Sequence, residues 1–307
     1  MLKIYLLLSV TMLIWGLNLP LVKYLLGFMD PVTMTAFRIL LAGITVFTIL
    51  TPLNLVRRPT NQEWLYILGG ALLNVVLHHY FMSVGLSRTT ATNTGLILGM
   101  GPVLTAIFTA LLLRNNPSKI QWIGAAIGFA GIGSIVLAGG EGVSGLALGD
   151  AFIFFSILAQ VLSFMVIAKA ARTLDPRLLT AYMFIVGSFF LIIVSMIQEP
   201  GQIEGFATAP PRFWIAFAAS GMIGSAVGHM LYNYSVGKVG PAKAAIFMNL
   251  NTLFGLIGSA IFLGEIITGR HLIGFLFIII GVILGSGAAE ELWKRKQKHE
   301  PIQKEPG

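Results

Sequence analysis

Apolar runs of membrane-crossing length, separated by short polar turns, pattern almost the whole chain. A hydrocarbon core of roughly 30 Å takes about 20 apolar residues per helix. Ten such runs can be drawn, at about 4–25, 31–53, 64–84, 91–113, 118–138, 147–169, 177–197, 212–234, 241–263 and 269–288. The breaks between them carry turn residues: Asp30-Pro31, Arg57-Arg58-Pro59, Asn116-Pro117, Gly139-Gly140, Asp175-Pro176 and Pro210-Pro211. The runs are continuous instead of alternating, which excludes a membrane β-barrel. The pattern predicts an all-α polytopic membrane protein with ten transmembrane helices.

The pattern also repeats. With an offset of 150 and no gap, Trp64 falls on Trp214, His79 on His229, Ile123-Gly124 on Ile273-Gly274 and Gly131 on Gly281. Upstream, Asp30-Pro31 pairs with Asp175-Pro176 at an offset of 145. A fixed-offset self-match marks a duplicated unit. The expected organisation is a first five-helix repeat over 1–145, a second over 146–290, and a polar tail over 291–307. Five spans is an odd number, so the second copy enters the membrane from the opposite side. Two inverted five-helix repeats are a common transporter design, with the substrate near the midplane between them.

Composition supports the membrane class. Mean hydropathy is +0.86, and only 10% of residues are charged, against about 25% in soluble domains. The chain has no cysteine, hence no disulfide framework. The formal charge of +8 follows topology. With the N-terminus in the cytoplasm, the inner flanks hold Lys3, Arg57, Arg58, Arg114, Lys119, Lys169, Arg172, Arg177, Lys238, Lys243 and the basic tail. The outer side holds Lys23, Arg88, Arg212 and Arg270. This positive-inside bias puts both termini in the cytoplasm. It accounts for the charge without a nucleic-acid partner and leaves membrane lipid as the contact of the tail. Met1 to Leu25 resembles a signal peptide but spans the bilayer and lacks a small-x-small site, so it is read as an uncleaved first helix.

The twelve acidic residues fall in loops, at helix ends or in the tail. Intramembrane carboxylates are the usual proton and sodium relays, so carboxylate coupling is disfavoured. A His-Glu-x-x-His pair and a P-loop are absent, so neither a metalloprotease nor an ATP-driven pump is expected. No catalytic residue, metal site or cofactor is assigned. Uncharged polar and aromatic side chains remain. Ser225, His229, Tyr232 and Asn233 share one face of the eighth span, and Asn74, His78 and His79 cluster on the third. Each either lines a cavity or joins helices by hydrogen bonds. In the ninth span Asn249 is assigned to substrate and Asn251 to interhelical bonding. Trp15-Gly16-Leu17-Asn18-Leu19-Pro20 predicts a kink or unwound turn in the first span. Arg38, a lone cation inside the second span, is expected to snorkel or pair with Asp30, with an anionic substrate group as the other option. Small-residue stripes, including Gly95/Gly99, Gly124/Gly128/Gly131, Gly255/Gly258 and Gly281/Gly285, predict close helix packing. The fifth and tenth spans have almost no polar face, which suits peripheral helices and a homodimer contact.

These features together resemble an EamA-type member of the drug/metabolite transporter superfamily. The resemblance rests on Trp15-Gly16 followed by Lys23, Arg38, Pro102, and Phe262-Leu263-Gly264-Glu265 followed by Gly274 and Gly281. Asn115 departs from it, standing where Glu is usual. The resemblance implies an alternating-access carrier with a cavity lined by spans 1, 3, 4, 6, 8 and 9, exporting a small metabolite. Trp15, Asn18, Asn74, His78, His79, His229, Tyr232, Asn233 and Asn249 are the candidate substrate-binding residues. A neutral or zwitterionic solute, an amino acid first, suits them, and the cell inner membrane is the expected location. The competing classes are an intramembrane enzyme using His78 and His79, and a sensor or scaffold that does not transport.

Overall fold

The computed structural model describes residues 1–89, 94, 97–114, 116–138, 148–263 and 269–286. Gly95, Asn115, Gly139-Gly140, Gly264-Glu265 and the tail 291–307 lie outside them. The protein is an all-helical polytopic membrane protein. Its spans are Leu2–Leu25, Pro31–Leu50, Asn61–Leu86, Lys119–Ala138, Leu148–Ala170, Pro176–Gln198, Pro211–Val239 and Gly269–Gly285. The fourth is described at Thr94, 97–98 and Gly101–Leu113. The ninth runs through Pro241–Ala245, a 3₁₀ turn at Ile246–Met248, and Asn249–Leu263. Pro102 opens the second half of the fourth span, where its missing N–H costs nothing.

Packing follows the repeat. The fifth and tenth spans lie on each other, and so do the second and seventh. The third packs on the sixth as the eighth packs on the first, and the fourth meets the sixth as the ninth meets the first. The outward faces match as well. Leu65 and its mate Ile215 are 70% and 73% exposed, and Ile123 and Ile273 are 53% and 54% exposed. Fully apolar side chains so exposed belong against lipid.

The glycines of the fifth and tenth spans face one another. A β-carbon on Gly281 would lie 2.6 Å from the Gly128 nitrogen and 2.8 Å from the Gly124 oxygen. One on Gly131 would lie 2.8 Å from the Gly274 oxygen. The backbones of the fifth and tenth spans therefore touch, which only glycine allows. The faces these two spans turn outward carry Ile, Leu and Phe instead.

Two expectations are corrected. Of the kink or unwound turn expected at Trp15–Pro20, the unwound turn is excluded: the α-helix is continuous with Pro20 inside it. Gly16 serves contact, since a β-carbon there would lie 2.9 Å from the Gly255 nitrogen and 3.0 Å from the Asn251 oxygen. Besides the 3₁₀ turn of the ninth span, irregular backbone occurs in the third and eighth spans, which turn π-helical at Ala71–Leu77 and Ala219–Val227. Both π stretches end two residues before the paired histidines, His79 and His229. Such widened turns shift the helical register by one residue and concentrate at functional sites.

The second correction concerns Arg38. It neither snorkels nor meets Asp30. The side chain is 5% exposed and Nη1 donates to Ser225 Oγ on the eighth span. Ion pairs join Arg57 to Glu63 and Arg177 to Asp175, both at helix ends.

The ends of the bundle are tied by groups distant in sequence. Asp30 makes no side-chain cap for the second span. Glu199 does, reaching from the end of the seventh span to accept from the backbone N–H of Val32 (3.0 Å) and Thr33 (2.7 Å) and from Thr33 Oγ1 (2.8 Å). At the opposite end Arg57 holds Glu63 through both oxygens, at 2.8 and 2.6 Å, and donates to the Thr173 carbonyl at 2.9 Å. Asp175 caps the seventh span by accepting from Arg177 N. Burial pushes its carboxyl up, but the hydrogen bonds and charge of Arg177 more than reverse this and leave it below the usual range. Glu199→Ala strips two helix N-terminal donors of their acceptor, and is expected to cost about 1–2 kcal/mol. Thermal unfolding of the purified protein in detergent checks it; Glu199→Gln, which keeps an acceptor oxygen, should retain part of the stability.

Candidate functional site

The first, third, seventh and eighth spans bring their aromatic side chains together in the interior. The Trp15 ring lies 4.8 Å from that of His229 and 5.1 Å from that of Tyr232, centroid to centroid. His79 lies 5.6 Å from His229, so the two repeat-related histidines meet. Phe184 packs on His229 at 5.4 Å, and Phe164 of the sixth span on Tyr232 at 5.0 Å. Trp15 Nε1 donates to the Gly224 carbonyl at 3.1 Å. Gly224 and Gly228 make room on the eighth span: a β-carbon at either would run into Asn18 or Trp15. The wide π turn and the two glycines are thus what let the first span bring Trp15 and Asn18 onto the eighth.

Hydrogen bonding around the rings is incomplete. Buried atoms without a partner include Asn18 Oδ1, Arg38 Nε, His79 Nε2, Ser220 Oγ, His229 Nε2 and the Tyr232 hydroxyl. Tyr232 and Ser220 have no exposed surface at all. An unmet buried polar group costs about 1–3 kcal/mol. A cluster of them in an otherwise close-packed membrane interior is where a polar ligand or water gains most.

The remaining candidates lie in interhelical contacts. His78 is satisfied. Gln160 Nε2 donates to its Nε2 at 3.1 Å, which puts the ring proton on Nδ1, facing Ser156 Oγ at 2.8 Å. The Ser156 hydroxyl in turn donates to the His78 carbonyl at 2.9 Å. Asn74 Nδ2 donates to Ser163 Oγ at 2.8 Å, joining the third span to the sixth. Asn233 Nδ2 donates to Thr180 Oγ1 at 2.9 Å, joining the eighth to the seventh. Asn249 is fully buried over Gly128 of the fifth span, with neither amide atom partnered. The structure therefore joins Trp15, Asn18, His79, His229 and Tyr232 in one cluster and distributes Asn74, His78, Asn233 and Asn249 around it.

Sequence reasoning missed Phe164, Phe184, Ser220 and the Arg38–Ser225 bond. The phenylalanines carry no signal against any other apolar residue. Arg38 did carry one, as the lone cation inside a span. Among the described residues no three His, Asp or Glu side chains converge as a metal site would require.

The chain is a multi-pass membrane protein whose halves pack alike around buried, unpartnered polar side chains, an arrangement that suits a transporter. Within that class the chain belongs to the EamA-like transporter family, whose profile matches residues 2–137 and 147–287. It is 27% identical over 292 residues to the uncharacterized transporter YyaM of Bacillus subtilis, covering 93% of this chain and 94% of that one. It is 28% identical over 279 residues to the uncharacterized transporter YvbV of the same organism, covering 91% and 90%. A solved crystal structure shares the fold, with a TM-score of 0.77 at 16% identity, covering 93% of this chain and 97% of that chain.

Proposed function

We propose that the protein exports a small polar metabolite, an amino acid first, across the cell inner membrane by alternating access. Two inverted halves, about 1–145 and 146–290, rock around a midplane site, with both termini in the cytoplasm. Trp15, Asn18, His79, His229 and Tyr232 contact the solute. One observation carries this reading: polar atoms on Asn18, His79, His229 and Tyr232 are buried and unpartnered inside an apolar bundle, around the Trp15 ring. The ring cluster supplies flat apolar surface, and Asn18 Oδ1 an acceptor suited to an ammonium. An intramembrane enzyme is less well supported, because both ring nitrogens of His78 are engaged in joining helices.

Counterflow in proteoliposomes tests the proposal. Vesicles are preloaded with pooled unlabelled amino acids and each labelled one is traced in turn. Accumulation of one chemical class above protein-free vesicles is the expected result. Silence with amino acids, nucleosides, sugars and cationic drugs alike would remove the carrier reading and favour a sensor.

A further inference from the structure

Arg38 is a buried cation that the described part of the chain leaves without a counter-charge. Its guanidinium donates to one neutral group, Ser225 Oγ, and its Nε has no partner. Ser220, one turn earlier on the same π-helical stretch, is fully buried with its hydroxyl unpartnered. The Ser225 hydroxyl accepts from Arg38, so its own proton is free to donate. His229 Nδ1 lies 3.1 Å from the Ser225 carbonyl, which ties this group of donors to the ring cluster. The Arg38 guanidinium and the Ser225 hydroxyl thus meet on the eighth span, and the Ser220 hydroxyl stands five positions earlier on the same π-helical stretch. Asn18 Oδ1, an acceptor, lies one residue away along the eighth span, against Gly224.

The repeat sharpens the point. At the offsets of 145 and 150, Arg38, Ser220 and Ser225 correspond to Met183, Gly70 and Val75. There the other half packs apolar groups: Met183 lies on Gly70, and Val75 on Gly187. The same backbone frame therefore holds a dry contact in one half and a cationic, hydroxyl-lined one in the other. Packing alone did not require the charge.

We infer that Arg38, with Ser220 and Ser225, is the counter-site for a carboxylate on the transported solute, so that the substrate class is a small monocarboxylate or zwitterionic amino acid. This rests on the central cluster being the substrate site. The guanidinium takes the carboxylate oxygens, the serine hydroxyls donate to them, and Asn18 Oδ1 accepts from an ammonium where the solute has one. A buried lone cation is costly in a membrane, and a bound carboxylate neutralises it. Solutes without that group leave Arg38 unpaired and are rejected.

Thermal unfolding of the purified full-length protein tests this with a small panel of acids. The probes are L-alanine, L-leucine, L-phenylalanine and L-lactate, each beside its carboxamide, which differs only in lacking the acid. At least one acid should raise the melting temperature, with its amide needing about 100-fold more to match it. Arg38→Gln should abolish the shift, and Arg38→Lys, which keeps charge but not the planar fork, should weaken it about tenfold. The inference is overturned if acid and amide act alike, if no acid acts on the wild-type protein, or if sodium chloride alone reproduces the shift. The wild-type comparison stands even if Arg38→Gln fails to fold. Counterflow of a solute lacking a carboxylate, unchanged in Arg38→Gln, would overturn the inference and leave the carrier reading intact. An acid that shifts the melting temperature but shows no counterflow would overturn the carrier reading and, with it, the inference that the bound carboxylate belongs to a transported solute.

Discussion

Leucine at Gly281 is expected to separate the fifth and tenth spans and to lower the melting temperature by about 5 °C or more. The reason is what the new side chain meets. Its β-carbon alone would fall 2.6 Å from the Gly128 nitrogen and 2.7 Å from the Gly128 α-carbon. These are backbone atoms of a helix, which cannot swing aside as a side-chain end can. One helix must move outward, and the reciprocal contacts at Gly124 and Gly131 open with it. Overpacking a close contact costs about 1–3 kcal/mol, more where nothing can relax. Alanine at the same place should show a smaller loss of the same sign. Gly69→Ala is the contrast: nothing lies within 4 Å of its β-carbon, and replacing a helical glycine should be neutral or gain up to about 1 kcal/mol. Equal melting temperatures for the Gly281→Leu variant and the wild type would mean that the two spans are not in backbone contact.

The second large effect is expected at Trp15. Trp15→Ala removes the ring that packs on both His229 and Tyr232 and breaks the Nε1 bond to the Gly224 carbonyl. If the solute sits against this surface, counterflow should fall by about 10-fold to 100-fold, since such ring contacts are worth roughly 1–3 kcal/mol. Trp15 is only half-buried on a long helix, so the fold should survive; helical circular dichroism and a single size-exclusion peak would verify it. Trp15→Phe separates the two contributions. It keeps an aromatic face and loses the Nε1 bond, and should retain most of the flux. A fully active, folded Trp15→Ala variant would exclude this ring from the transport path.

Both predictions use residues that the sequence marked, but for reasons it could not supply. The glycine stripes were legible as close packing. Which helix each one faced was not, because a stripe of glycine looks the same against any partner. The pairing came from the repeat meeting itself: the fifth span of one half lies on its mate in the other. Trp15, His79, His229 and Tyr232 were legible because a polar or amphipathic side chain inside an apolar run is costly unless something receives it. Asn74, His78 and Asn233 obey the same rule and end up bonded between helices. Sequence spacing cannot separate the two fates, since both begin with a polar group turned away from lipid.

Arg38 and Glu199 show the same limit from the side of charge. Local reading gave each a local partner or none: Asp30 for Arg38, and nothing for Glu199 at the close of its span. The structure gives Arg38 the hydroxyl of Ser225, 187 residues away, and gives Glu199 the first amides of the second span, 166 and 167 residues away. Charges in a membrane protein find whatever donor or acceptor the bundle brings within about 3 Å, and chain distance does not enter.

The sequence by itself determined that this is an all-helical membrane protein, where most of its spans run, and that half of it is copied in the rest. Hydrophobic length and a fixed-offset match suffice for that, because the bilayer imposes one dimension on every span. Tertiary structure alone decided the π-helical turns before the paired histidines, the contact of the fifth span with the tenth, and the meeting of Trp15, His79 and His229. Those depend on which helix faces approach each other, and packing of that kind is fixed by shape in three dimensions.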